Sequence, residues 1–321
     1  MNSFEVPSTP ARVERARTGW PTGPVPWMMR AEGGRAWVWD PTAGLLRVPG
    51  LHKKDPAKYL VDESLSIDGR SVEFREWTGP AGTDPRVVDL ITGETRAVPE
   101  LRRERISNFP VGDGRRVLAH NHRYGDPLTG QFRLERDGDE VPLPIDGWLS
   151  ADGGRRLQFS PAKTEMALTV GGMASEQRRR LLVARVDDGE ILHSFDGFGI
   201  TTTSTWSPDG RRLLVFYLPF DEDVQAPQVL DLDTGVRTPL SYLFRGWRLF
   251  SVAGWIDDHR LLVASISRDG RIVVSAADTL TGKHHDLVDL PLLVRTDDFH
   301  GVHMASDVVR ADPMSLLLRE P

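Results

Sequence analysis

The 321-residue chain contains no cysteine, only three asparagines and only five lysines against 35 arginines. The lack of cysteine excludes disulfides, thiol catalysis and thiolate zinc sites, and it removes the usual staple of secreted proteins. The arginine bias points to a GC-rich bacterial genome. No apolar run reaches the length of a membrane span. The first 30 residues hold no apolar core of a leader, and Glu5 and Glu14 sit there among Arg12, Arg15 and Arg17. No signal peptide is therefore expected. Positive charge is not in excess either. The net charge of −6 supplies no field that would recruit nucleic acid or an anionic membrane. These absences predict a cytoplasmic protein with neither a nucleic-acid nor a membrane partner. They leave the oligomeric state open. A P-loop, a His-Glu-x-x-His and a Gly-x-Gly-x-x-Gly are all missing, and Gly197-Phe198-Gly199 lacks the third glycine. No cofactor is expected. Stretches with a clear helical period are absent as well.

What is present is a repeat. An apolar run ends in a turn closed by glycine, and a second apolar run follows. WVWDPTAGLLRV closes on Gly44, RVVDLITGETRAV on Gly93, FRLERDGDEVPL on Gly138, LLVARVDDGEIL on Gly189, QVLDLDTGVRTPL on Gly235 and VVSAADTLTGKHHDLV on Gly282. Successive glycines lie 49, 45, 51, 46 and 47 residues apart. A second turn signal keeps the same beat. Asp68-Gly69-Arg70, Asp113-Gly114-Arg115 and Asp209-Gly210-Arg211 are its clear copies. FSPAKTEMALTV is a degenerate copy with Ala162-Lys163 in place of Asp-Gly. Asp257-Asp258-His259-Arg260 is the next copy, and Trp20-Pro21-Thr22-Gly23 is read as the first.

Asp-Gly between apolar runs is a hairpin signal, because glycine supplies the positive φ that tight hairpin turns need. The runs are strand-length and rich in Val, Leu, Phe, Trp and Thr. Several, such as Leu213 to Phe216, are apolar on both faces, which suits a sheet covered on both sides. Two hairpins per period make a four-stranded antiparallel unit, and such a unit every 40–50 residues is a propeller blade. The expected fold is therefore an all-β propeller in one domain spanning 13–321, with blades at 13–50, 60–101, 105–145, 147–196, 200–243 and 247–291. Residues 292–321 form a closing segment whose candidate strands are 299–306 and 314–321. With a strand from residues 2–6 they would build a seventh blade; six blades plus a C-terminal extension is the alternative. Residues 1–12 are read as an N-terminal segment that lends a ring-closing strand, and the Ser/Thr/Pro-rich residues 1–10 as loosely docked.

The stretch Trp206-Ser207-Pro208-Asp209-Gly210-Arg211-Arg212-Leu213 resembles the repeat motif of the TolB-type, WD-repeat-like bacterial propellers. The copies at Asp68-Gly69-Arg70 and Asp113-Gly114-Arg115 resemble it more weakly. The resemblance covers most of the chain, implies the propeller fold and carries no catalytic residue with it. The family includes partner-binding periplasmic propellers and the propeller domains of prolyl-oligopeptidase-like peptidases. This chain has no Gly-x-Ser-x-Gly elbow and no room for a hydrolase domain.

Several residue groups are candidates for chemistry, each with a structural reading beside it. The turn aspartates would cap their own turns. Asp231 and Asp233, with Asp221 and Asp223 nearby, form an acidic cluster, but the spacing of a calcium loop is missing. His120 and His122 share one face of an extended strand without a third ligand. Asp298, His300 and His303, with Asp297, stand where an innermost strand begins, and a histidine beside carboxylates there suits acid–base work; the alternative is a polar channel wall. Arg17, Arg105, Arg156 and Arg248 each lie in or just before an expected innermost strand, and arginine forks bind carboxylates and phosphates. Asp62 and Glu63 stand ready to pair with them. Trp247 beside Arg248 offers a rim anchor. The reading that follows is a non-enzymatic binding propeller. It presents one loop face, with Arg17, Arg105, Arg156, Trp247 and Arg248, to a protein partner or an anionic ligand. The alternative is a hydrolase, lyase or isomerase using Asp298, His300 or His303. No metal is expected.

Overall fold

A computed structural model describes residues 4, 7–31, 35–49, 51, 60–66, 68–77, 83–97, 106–112, 114–120, 132–145, 157–171, 180–200, 205–217, 227–240, 250–267, 270–290 and 299–317. These residues build six small sheets, numbered I to VI here in chain order. Each is built around an antiparallel meander, because apolar runs joined by a tight turn fold back on themselves. Sheets II to V have four strands each. Sheet II, for example, runs Leu60–Leu65, Ser71–Trp77, Thr83–Asp89 and Thr95–Ala97. Sheet VI starts at Phe250–Trp255 and ends its meander at His284–Leu290. The chain divides into two compact units. Met1–Arg102 with Ser241–Pro321 holds sheets I, II and VI, and Arg103–Leu240 holds sheets III, IV and V.

The two recurrent turns explain why the runs fold at this period. Between first and second strands, Ser207 Oγ donates to Asp209 Oδ1 (2.5 Å) and accepts from the Arg212 N–H (2.9 Å), while Asp209 Oδ1 accepts from the Arg211 N–H (3.0 Å). Ser66, Asp68, Arg70 and Ser71 repeat the set in sheet II. In the degenerate copy, Lys163 takes the glycine's place at φ 58°, and Ser160 still accepts from the Glu165 N–H. Between third and fourth strands the aspartate does the work. Asp89, Asp231 and Asp278 each accept from the N–H three residues on at 2.7–2.8 Å. In sheet III the turn is Asp137-Gly138, with φ of 56° and 89°, which is the left-handed pair that a two-residue hairpin demands. At Gly69, with φ 66°, a side chain would also collide with the Val25 carbonyl oxygen, so only glycine fits.

Side chains from neighbouring sheets mesh into continuous cores. In the first unit, one core lies between sheets VI and I, where Trp27 and Trp39 stack at 5.5 Å, and another lies between I and II. In the second unit the cores lie between III and IV and between IV and V. Trp27, Trp39, Trp206 and Trp255 are fully buried, filling wedges as bulky rings do.

The number of sheets corrects the seven-blade expectation. Among the described residues, 299–306 and 314–317 build no separate sheet. Phe299–Met304 is instead the first strand of sheet I, antiparallel to Trp27–Ala31, and it is followed by α1 (Ser306–Ala311) and a 3-10 turn at Pro313–Leu316. The strand ends at Met304, and beyond α1 Asp312 accepts from the Met314 N–H while Pro313 opens the 3-10 turn. The reason is burial. The first strand of sheet I must offer apolar side chains to the core, and Val302 and Met304 do so. The polar Arg17–Thr18 cannot. That pair lies at the opposite edge of sheet I, parallel to Gly44–Arg47, and Ala11–Arg12 runs parallel to His284–Leu290 at the outer edge of sheet VI. The N-terminal segment is also more firmly held than its composition suggests. Phe4 is 5% exposed, with the Arg260 guanidinium 4.9 Å from its ring centroid.

Candidate functional site

Antiparallel alternation sorts the connections of each meander. The turns from first to second and from third to fourth strand lie at one end of a sheet; the connection from second to third and the exit to the next sheet lie at the other. Tight turns occupy the first end, as at 66–70 and 90–94. Longer connections occupy the second, as at 121–131, 144–156 and 240–249. The candidates fall in these longer connections by chain position. Arg105 immediately precedes Ile106–Gly112, Arg156 precedes Leu157–Phe159, Trp247 and Arg248 stand shortly before Phe250–Trp255, and Asp298 precedes Phe299–Met304. Arg105, Arg156, Trp247, Arg248 and Asp298 lie outside the described residues. The same holds for Asp297, Asp221, Asp223 and His122. Arg17 departs from the set. It is exposed on an outer edge strand, across sheet I from the first strand.

In the first unit the beginnings of three sheets meet. Phe299–Met304 lies against Phe250–Trp255 and against Leu60–Leu65. The Val302 N–H donates to Ser251 Oγ at 3.0 Å, tying two first strands together. Alternation divides the side chains of the sheet I strand. Val302 and Met304 join Trp27 and Met29 in the core shared with sheet VI. His303 pairs with Met28, which belongs to the core shared with sheet II. Gly301 pairs with Arg30, so Arg30 and the half-buried His303 share the face turned toward sheet II. The first strand of sheet II carries Asp62 and Glu63. His300 sits at an irregularity in the pairing between Phe299 and Gly301. A histidine and an arginine beside a carboxylate-bearing strand can hold an anion or relay a proton.

The turn carboxylates are committed to structure. Burial raises the Asp40 pKa, but hydrogen bonds from the Thr22 and Ala43 N–H groups and from the Thr42 hydroxyl and N–H outweigh it and hold Asp40 at about 2. Asp231 is lowered by the Thr234 hydroxyl and N–H. Asp209 is raised by burial, yet the Ser207 hydroxyl, the Arg211 N–H and Arg212 bring it below its ordinary value. Asp233 faces Arg211 at 3.4 Å. Among the described residues no group of three or more acidic, histidine or cysteine side chains is placed to hold a metal. Leu280 and Ile91, which the turn reading passed over, occupy the same position in the third-to-fourth-strand turns of sheets VI and II, 69% and 39% exposed. The signal was an apolar residue standing between an aspartate and the Thr-Gly that closes the turn.

No family model matches the chain, and no curated protein matches it. Among solved structures, TolB from Acinetobacter baumannii aligns with a TM-score of 0.50 at 13% identity, over 87% of this chain and 66% of TolB. The chain thus spans just under two thirds of the TolB chain. A putative 6-phosphogluconolactonase from Bacteroides uniformis aligns at 0.43 and 15% identity, over 84% and 98% of the two chains. Oligogalacturonate lyase in complex with manganese aligns at 0.44 and 12% identity, over 86% and 75%. The repeated four-stranded meanders and the likeness to TolB together establish a TolB-like β-propeller fold.

Proposed function

We propose that residues 13–321 work as one β-propeller domain that binds a protein partner or an anionic ligand through the long-connection ends of its sheets, without catalysing a reaction. The observation that supports this reading is the division of labour within each meander. The tight turns are saturated by their own Ser, Asp and Thr side chains. The long connections carry Arg105, Arg156, Trp247 and Arg248 just ahead of first strands. Arginine supplies bidentate recognition of carboxylate or phosphate, and tryptophan a rigid apolar anchor.

A tagged pull-down from native-host lysate, compared with the Arg105→Ala/Arg248→Ala double variant, tests it. The expected result is a near-stoichiometric partner that is lost in the variant and weakens as salt rises, as an arginine-led contact must. A partner retained equally by the variant would move the contact elsewhere. The arrangement of His303 and Arg30 on the face turned toward sheet II favours a second reading, an acid–base site for a small substrate with Asp298 and His300. In that case Asp298→Ala or His300→Ala abolishes turnover while leaving thermal melting unchanged.

A further inference from the structure

The N-terminal segment is bound to the first unit in an unusual way. Residues 7–18 cross the outer edges of two sheets in succession. Ala11–Arg12 pairs parallel with the last meander strand of sheet VI, and Arg17–Thr18 pairs parallel with that of sheet I. Each pairing is only two residues long. The flanking bonds are the Val13 N–H to the Asp289 carbonyl at 3.0 Å and the Gly19 N–H to the Arg47 carbonyl at 3.2 Å. Ala11, Val13 and Ala16 pack half-buried against the core between sheets VI and I. Arg12 and Glu14 pair with each other in solvent rather than with either sheet.

The two ends of this segment are held differently. On the far side of Gly19, attachment is strong. Trp20 packs over Gly93 in sheet II, and Thr22 donates its N–H and its hydroxyl to the buried Asp40 carboxylate at 2.8 and 3.1 Å. On the near side, the anchor is Phe4 beneath Arg260. Gly19 itself has open space around it, with nothing within 4 Å of where a side chain would begin. A glycine in open space between a thin attachment and a firm one is a pivot.

We propose that Phe4 and residues 7–18 together are a releasable arm, with Phe4 leaving the core between sheets VI and I as the two short edge pairings open, and that the outer edges of sheets VI and I beneath it form an interaction surface for the same arm of a second copy of this chain. The argument for that occupant is the surface itself. It already accepts this sequence in parallel register, and an uncovered pair of sheet edges offers unpaired N–H and C=O groups to whichever copy supplies the arm. Exchange of an identical element needs no new contact and no new residue, only a pivot that reaches outward.

Because the chain has no native cysteine, an engineered pair reports on the exchange cleanly. Arg12 and Asp289 are directly paired, so Arg12→Cys/Asp289→Cys brings two thiols within disulfide range. Oxidised full-length protein, analysed by non-reducing gel and peptide mapping, should give covalent dimers joining residue 12 of one copy to residue 289 of another, with a fraction that rises with protein concentration. Wild-type hydrogen exchange should show the Val13 and Gly19 amides opening at least tenfold faster than amides of Arg35–Asp40. Exclusively intrachain disulfides across a hundredfold concentration range would overturn the proposal, whether or not the arm amides exchange quickly. Arm amides as protected as Arg35–Asp40 in the wild type would overturn it independently of the variant.

Discussion

At the scale of single residues, the most demanding position is Asp40, a carboxylate 1% exposed in the third-to-fourth-strand turn of sheet I. Its two oxygens divide their work. Oδ2 accepts from the Thr22 N–H and hydroxyl, and Oδ1 from the Thr42 N–H, the Thr42 hydroxyl and the Ala43 N–H. Asparagine has the same shape but presents a donating amide NH2 to one set of donors whichever way it is turned. Asp40→Asn should therefore destabilise the protein by about 2 kcal/mol, the scale of buried donors left unmet beside a lost charged acceptor. The pH dependence follows from the same bonds. The folded-state pKa of about 2 lies below the value near 3.8 of a free aspartate. The contribution is thus fully present above about pH 4 and disappears as the pH falls through about 2. Denaturant unfolding measured between pH 7 and 2 should find the wild-type advantage over the variant shrinking only in that acid window. An equal difference at every pH would place the effect in packing rather than in the charge.

Elements were legible where they are punctuated. The Asp-Gly and Asp-x-x-Thr-Gly signals announce turns because the side chains that make them recognisable also make the hydrogen bonds. TWSPDGRRLLVF is such a case: a hairpin turn between Trp206 and the strand Arg212–Tyr217. The Trp206 indole N–H reaches the Gln158 carbonyl in sheet IV at 3.1 Å, fastening the turn to its neighbour. The serine is the inconspicuous member of the motif, because Asp-Gly alone marks the turn in sequence. Ser207→Ala removes the acceptor of the Arg212 N–H and the donor to Asp209, and should lower stability by about 1–2 kcal/mol. Ser207→Thr, which keeps the oxygen, should lose less. Equal losses for both variants in thermal melts would assign the position to tight packing instead. The two parallel edge strands were not legible, because two polar residues such as Arg17 and Thr18 carry no periodicity. Their pairing is dictated by the edges that they meet. The same lack of local signal made Arg17 look like a member of the first-strand arginines. The site residues that chain position groups most clearly, Arg105, Arg156 and Arg248, are set by where first strands begin, which the turn period does reveal.

For the molecule as a whole, the period of the repeat revealed the propeller, but the partner of the opening hairpins came from the far end of the chain. Periodicity is local, and the pairing of Phe299–Met304 with Trp27–Ala31 spans nearly the whole sequence. Only burial could have indicated it, because sheet I needs an apolar first strand and Arg17–Thr18 are too polar to serve. That long-range closure predicts how stability is distributed. Ending the chain before Phe299 removes Val302, Met304, Val309 and Leu316 from the core between sheets I and VI. At about 1.5–3 kcal/mol for each buried apolar side chain, the loss rivals the whole stability of a typical domain. The unit formed by Met1–Arg102 with Ser241–Pro321 should then lose its hydrogen-exchange protection, most visibly in Trp27–Ala31 and Arg35–Asp40. Among the described residues the cores of the unit Arg103–Leu240 lie between sheets III and IV and between IV and V, so Glu165–Val170 and Arg180–Arg185 should stay protected in the same sample. Protection lost equally from Glu165–Val170 would mean that the two units unfold as one cooperative body. Protection kept in Trp27–Ala31 would mean that the antiparallel pair with Arg35–Asp40 holds sheet I without its first strand.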